Sequence, residues 1–387
     1  MSQRITMKSL LYNMSKTDAS DLHLKVGLAP TYRIAGELRQ PAGLPELTAE
    51  DTERLLMEII PDGRRADFDR QGDLDFSTFV MVEKEEDHDP ADGPRRPDRF
   101  RCNVFRAGGA MHAAIRRVKP DIPTFESLNL PKAYSKVSEN VHEGLVLVIG
   151  VTGSGKSTTL ACMLEHINQI RAVNIVTIED PVEYQLHPAK SVISQREIGT
   201  DVPTYADALK YAVRQDPDVI FIGELRDHDT VLAAVQAAET GHLVFGSLHA
   251  ADTMQCFSRV VEFFPQHEHD FIRAALSSSF QAGLAQRLLP ANKDTAGTGV
   301  VPACEVLLAN PTVRELIRDG EDASLPAVIN ASTTDGMQSF THALAELVDR
   351  EYVSLQTALE YAPSREALES RLKGVEVRAS TLVGKMR

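Results

Sequence analysis

The segment Gly150-Val-Thr-Gly-Ser-Gly-Lys156-Ser157 constrains this chain more than any other. An unbroken apolar run, residues 145–149, leads into it, and a helix-forming stretch, residues 156–170, leads out. Strand, glycine loop and helix in that order predict an α/β core, because a strand apolar on both faces needs helices on both sides. The glycines let successive backbone N–H groups turn inward around an anion, and the helix N-terminus adds a partial positive charge. The predicted ATP-binding residues are therefore Gly150, Thr152, Gly153, Ser154, Gly155, Lys156, Ser157 and Thr158. Lys156 is expected to neutralise the β- and γ-phosphates and the Ser157 hydroxyl to hold Mg²⁺. A chance glycine-rich turn is the alternative, and it leaves both flanks unexplained.

A length of 387 residues suffices for two or three domains with sizeable cores. Hydrophobic residues at 43% and charged residues at 25% are ordinary for a globular protein. The net charge of −14 argues against a chain that wraps nucleic acid, though a local basic channel stays open. Cys102, Cys162, Cys256 and Cys304 show no CxxC spacing, so neither zinc nor a disulfide framework is expected. The N-terminus has no apolar stretch of signal-peptide length, and no run approaches the ~20 residues of a membrane span. The cytoplasm is the expected location.

The predicted organisation is an N-terminal domain over 1–118, a linker over 119–135, an ATPase core over 136–265, a C-terminal helical part over 266–373 and a mobile tail over 374–387. In the first, residues 48–60 read as a capped helix and residues 74–82, 99–105 and 110–118 as strands. Residues 83–97 are charged and proline-containing, and read as a solvated loop. The core offers strand candidates at 145–149, 173–178, 219–222 and 243–248 with helices between them. Past Pro265 the strand signal fades, and residues 271–289, 312–318, 339–350 and 354–361 read as helices.

Two acidic clusters end predicted strands of the core, where ligands of α/β sheets bind. They are Glu179-Asp180-Pro181-Val182-Glu183 and Gly223-Glu224-Leu-Arg226-Asp227. Either alone reads as a solvated turn; two beside a phosphate loop read as groups for Mg²⁺ and an attacking water. In a third cluster His242 and His249 bracket an apolar strand, with His249 at its exit, where it can hydrogen-bond a γ-phosphate.

In this order after the loop, the clusters resemble the ATPases of type II secretion and type IV pili. Residues 177–184 (TIEDPVEY) look like that family's Asp box. Residues 216–227 (DPDVIFIGELRD) look like its Walker B segment, where glycine is normal. Residues 238–250 (AETGHLVFGSLHA) look like its His box, and residues 19–24 (ASDLHL) like the opening of its N-terminal domain. The resemblance covers nearly the whole chain. It implies an N-terminal PAS-like α+β domain linked to a RecA-like P-loop NTPase domain with a parallel sheet and C-terminal helices. It implies Glu183 as the base that orients water and Glu224 as the Walker B acid on Mg²⁺. His249 and His242 match its phosphate-sensing histidines, and Arg101 and Arg116 its N-domain arginines that reach the nucleotide. It also implies a homo-hexamer that works with an inner-membrane pilus platform protein. Such a ring would touch the inner face of the membrane only through partners and would not bind nucleic acid directly.

Within the family three features favour the pilus-retraction branch. The chain is short, without the extra N-terminal domain of assembly members. It has no tetracysteine insertion. Residues 313–319 (VRELIRD) are similar to the C-terminal helix motif of retraction ATPases. An assembly or secretion ATPase of the same fold is the alternative. A RecA-like nucleic-acid translocase would want basic loops interleaved with aromatics, and this chain has no Trp and only 6% aromatic residues. A non-hydrolysing regulator is opposed by the intact Glu183 and Glu224.

Overall fold

The computed structural model describes residues 5–81, 97–118 and 121–374. The charged loop expected at 83–97 and the tail expected at 374–387 therefore lie outside the described residues, Pro97 and Gly374 apart. The chain divides into two compact units, 1–121 with 183–185, and 122–182 with 186–387.

The first unit carries β1 (Asp21–Leu24), β2 (Thr31–Ile34), β3 (Glu37–Arg39), β4 (Asp73–Val80), β5 (Asp98–Ala107) and β6 (Ala110–Arg117). They form one antiparallel sheet in the order β3-β2-β1-β6-β5-β4. Helices α1 (Met7–Lys16), α2 (Ala49–Met57) and α3 (Arg65–Gln71) accompany it. Thr48 and Asp51 form a capping box that starts α2 where the sequence places it. The β5–β6 hairpin turns through Gly108 and Gly109, both at positive φ (59° and 83°), as a two-residue turn requires. Alternation along β5 and β6 buries Phe100, Cys102, Val104, Ala113 and Ile115 against Leu10, Leu11 and Met14 of α1. The opposite face presents Arg101 and Arg116.

The second unit is built on a seven-stranded sheet in the order β13-β12-β7-β11-β10-β8-β9. Its strands are β7 (Gly144–Ile149), β8 (Asn174–Glu179), β9 (Val192–Glu197), β10 (Val219–Ile222), β11 (Leu243–Leu248), β12 (Phe280–Pro290) and β13 (Val300–Leu308). All run parallel except β13, which is antiparallel to β12. Val146 and Val148 face a core with α4 (Lys132–Asn140) and α5 (Lys156–Ile170). Leu145, Leu147 and Ile149 face the other, with α6 (Tyr205–Ala212), α7 (His228–Glu239), α8 (Thr253–Val261) and α9 (His269–Ser279). Both faces are covered, which is why β7 is apolar throughout.

The expectation of a wholly helical segment beyond residue 265 is corrected. α9 stops at Ser279, and residues expected to continue it form β12, paired with β7 on one side and β13 on the other. Leu, Ala and Gln there suit a helix, but two flanking strands supply a ladder on each side, and that pairing overrides local propensity. Beyond α10 (Lys293–Ala296) and β13, helices α11 (Pro311–Asp319), α12 (Leu325–Ala331), α13 (Phe340–Asp349), α14 (Leu355–Tyr361) and α15 (Arg365–Leu372) follow. The strand β9 and the helix α12 had no expectation. All four cysteines are free and buried, and burial pushes the Cys162 and Cys304 thiols up to about 12. No helix among the described residues is long and apolar enough to cross a membrane.

Candidate functional site

The glycine loop joins β7 to α5. Gly153 and Gly155 hold φ of 78° and 89°, a region open to glycine at little cost. Gly150 is needed for space: a Cβ there would stand 2.7 Å from the Gln286 carbonyl and against Ser154 Oγ. The Lys156 ammonium, 9% exposed, donates to the carbonyls of Gly150 (2.7 Å) and Val151 (3.1 Å). It thus lies folded along the loop it would leave to meet a phosphate. Thr152 and Gly153 are exposed at the tip, while Ser157 and Thr158 lie in the first turn of α5.

Two strand exits converge on this loop. β11 is the neighbour of β7, and the Gly150 N–H donates to the Leu248 carbonyl at 3.1 Å. His249 follows directly. β10 lies next to β11 and delivers Glu224, whose Oε1 is 3.5 Å from His249 Nε2. Desolvation, and then the Lys156 charge, hold the His249 pKa below 6.5, while Glu224 pulls it up. Lys156, Glu224 and His249 thus share one electrostatic environment. Gly223 of the Walker B segment is closely packed: a Cβ there would lie 3.0 Å from the Tyr205 hydroxyl and 3.3 Å from Glu179 Cα, so a side chain fits only if those neighbours give way. Ser247 Oγ donates to the Gly223 carbonyl and fixes the turn that presents Glu224.

His242 lies apart from the loop of its own chain. It precedes β11, and its carbonyl accepts from the Gly144 N–H at the start of β7. The strand β11 separates it from His249 by about 22–24 Å, seven residues at 3.2–3.4 Å each. Its ring contacts the Ala237 carbonyl (2.9 Å) and Thr240 Oγ1 (3.2 Å), which caps the end of α7. The structure does not bring His242 to the loop of its own chain. A parallel sheet binds ligands at its carboxyl ends, so the placement of this histidine before its strand already carried that signal.

The Asp box distinguishes its acids. Glu179 is 8% exposed, and its Oε1 accepts from Thr177 Oγ1 (2.6 Å) and Gln195 Nε2 (3.1 Å). That carboxylate serves the junction of β8 and β9. Glu183 is exposed. The residues on either side of the 183–185 segment are pinned to β9: the Val182 N–H donates to Glu197 Oε2 (3.2 Å) and the Leu186 N–H to Gln195 Oε1 (2.8 Å). Anchored ends present Glu183 on a short bridge.

In the first unit, strand register aligns Arg33, Asp21, Arg116 and Arg101 in one row across β2, β1, β6 and β5. Facing arginines repel. Asp21 offsets this by accepting from Arg116 Nε at 2.9 Å, with Arg33 Nε 3.9 Å away. Burial works against the Asp21 carboxylate, but hydrogen bonds from Ser20 and Arg116 outweigh it and hold its pKa low. Arg101 is exposed beside Arg116.

The helix motif at 313–319 falls within α11. Val313 and Ile317 are buried, Glu315 and Arg318 exposed. Arg314 Nη1 donates to the carbonyls of Ser277 and Ser278 at the end of α9, and Ser277 Oγ donates back to the Arg314 carbonyl.

Among the described residues no group of three or more His, Cys, Asp or Glu can hold a metal ion by itself. Ser157 in the first turn of α5 and Glu224, 36% exposed, instead fit a Mg²⁺ held jointly with phosphate oxygens, the usual coordination of that ion. Sequence reading missed Gln286 of β12, which is 2% exposed and donates from Nε2 to the Ser154 carbonyl at 2.6 Å.

Comparisons with known proteins agree with this geometry. A family described as "Type II/IV secretion system protein" matches residues 105–336. The "Type IV pilus retractation ATPase PilT" of Pseudomonas aeruginosa is 38% identical over 353 residues, 91% of this chain and 97% of that protein. A "Twitching motility protein" of Neisseria gonorrhoeae is 37% identical over 88% of this chain and 86% of its own length. The crystal structure of the pilus retraction motor PilT with bound ADP matches with a TM-score of 0.82 and 38% identity, over 94% of this chain and 99% of that one. On these matches and on the loop, Asp-box, Walker B and His-box geometry above, the chain belongs to the type II/IV secretion system protein family.

Proposed function

We propose that this chain is a motor ATPase that hydrolyses ATP to drive type IV pilus retraction. The observation that carries the proposal is 38% identity to a retraction ATPase across nearly the full length of both chains. The site supports it: a phosphate loop, a lysine able to swing out of it, and an acid–histidine pair at the neighbouring strand exits.

The chemistry asks mainly for positioning and charge. Loop N–H groups and Lys156 hold the β- and γ-phosphates. Ser157 and Glu224 would hold Mg²⁺, which would offset charge on the phosphoryl oxygens. Glu183 orients the attacking water and takes its proton. His249 turns Nε2 to Glu224 and keeps Nδ1 for the γ-phosphate. In the assembled ring Arg101 and Arg116 bring positive charge to the nucleotide. The working form is a homo-hexamer at the inner face of the cell membrane, engaged with the inner-membrane platform protein of the pilus machinery and not with nucleic acid.

Purified Lys156→Ala tests the reading. It is expected to keep its circular-dichroism spectrum and lose ATP hydrolysis, and cells carrying it are expected to make pili that do not retract. Near-normal turnover by the mutant overturns the reading.

A further inference from the structure

The phosphate loop rests on a side chain that none of its motifs includes. Gln286 lies on β12, next to β7, and its Nε2 donates to the Ser154 carbonyl at 2.6 Å. Two glycines of the loop leave room for this residue. A Cβ on Gly155 would stand 3.1 Å from Gln286 Nε2, and one on Gly150 would stand 2.7 Å from the Gln286 carbonyl.

The Ser154–Gly155 peptide is trans. In a trans peptide the carbonyl and the following N–H point in opposite directions. Anchoring the Ser154 carbonyl to β12 therefore aims the Gly155 N–H away from β12. Gly155, at φ of 89°, has no Cβ to restrain its own torsion. The direction of that donor has to be set from outside.

Packing alone does not explain a glutamine here. Its Oε1 is buried without a hydrogen-bond partner among the described residues, as is Ser154 Oγ. Half of the amide is left unmet at a cost that an apolar side chain of similar size would avoid.

We propose that Gln286 is a positioning residue for the phosphate loop, setting the Gly155 N–H for the phosphates of the bound nucleotide. The inference rests on the ATPase reading above. Its role is played through the loop backbone, so its loss acts on phosphate binding and not on the rest of the nucleotide.

The test uses purified full-length Gln286→Met, which keeps the length and removes the donor. ADP affinity is expected to fall about tenfold, the equivalent of one hydrogen bond, with AMP affinity unchanged and only a modest fall in melting temperature from the unmet Ser154 carbonyl. Gln286→Asn keeps the amide but falls short of Ser154, so it is expected to show the same ADP-selective loss; it decides the matter if the Met variant does not fold. Wild-type ADP affinity in the folded variant overturns the proposal. So do equal losses for ADP and AMP that follow a fall in melting temperature. Failure of the wild-type chain itself to bind ADP would overturn the ATPase reading and this inference with it. Normal wild-type binding with an unaffected variant removes only the role of Gln286.

Discussion

Glu224 and His249 stand at the exits of adjacent parallel strands, with Oε1 of the first 3.5 Å from Nε2 of the second. The Lys156 charge acts on the same imidazole. A phosphate-holding cation and a carboxylate thus pull the proton affinity of one histidine in opposite directions, so its titration reads out the state of the site.

Desolvation first and Lys156 second depress the His249 pKa below 6.5, and Glu224 opposes them. Above pH 6.5 the ring is neutral in folded and unfolded chains alike and adds nothing to stability. As the pH falls below 6.5 the unfolded chain takes up its proton first, so this group lowers stability until the folded pKa is passed. By NMR, Lys156→Ala is expected to raise the titration midpoint of His249, and Glu224→Gln to lower it. Shifts of the opposite sign would show that the three groups do not form one site.

Glu183→Gln is expected to bind nucleotide and to lower kcat by ~10²–10⁴-fold, the range for losing a general base, with an unchanged melting temperature. Glu179→Gln behaves differently. Its carboxylate accepts from Thr177 and Gln195 in a buried position, so the change is expected to cost about 1–3 kcal/mol of stability. Calorimetry beside steady-state kinetics on both variants separates the roles. An inactive Glu179→Gln with wild-type melting would reverse the assignment.

Placing an aspartate at Gly223 should not improve the site. A side chain there meets the Tyr205 hydroxyl and the backbone of β8, and overpacking of this kind costs about 1–3 kcal/mol. Gly223→Asp is expected to melt earlier and hydrolyse ATP more slowly. A stable, faster enzyme would mean that the acid belongs at this position after all.

Arg314→Ala removes the bonds that tie α11 to the end of α9 and is expected to lower the melting temperature. Changes at exposed Glu315 and Arg318 leave that tie alone. They are expected to spare ATP hydrolysis and stop pilus retraction. Joint loss of hydrolysis and stability in these surface variants would reduce α11 to a packing element.

The loop, β7 and α5 were legible because all their determinants are adjacent in sequence. The Asp box and Walker B acids were legible as clusters, but not their division of labour. Glu179 is set apart from Glu183 by Gln195, on a strand sixteen residues further on, which a linear reading does not pair with it. The residues of β12 suit a helix, and only pairing with β7 and β13 makes them a strand. Gln286 is not legible in the sequence for the same reason, since its contact with the loop follows from lying beside β7. His242 is the reverse case: its place before β11, and not at the exit of that strand, follows from strand direction alone.

The buried cysteines make the chain a ready substrate for site-directed labelling. Cys102 lies in the first unit, and Cys162, Cys256 and Cys304 in the second, all shielded and with thiols pushed toward the protonated form. Only the thiolate reacts with alkylating dyes, so native thiols stay silent while the fold is closed. One cysteine introduced on an exposed face can then carry a fluorophore without removing any of the four natural cysteines. The natural four serve as internal clocks: the rate at which each is alkylated measures how often its own unit opens.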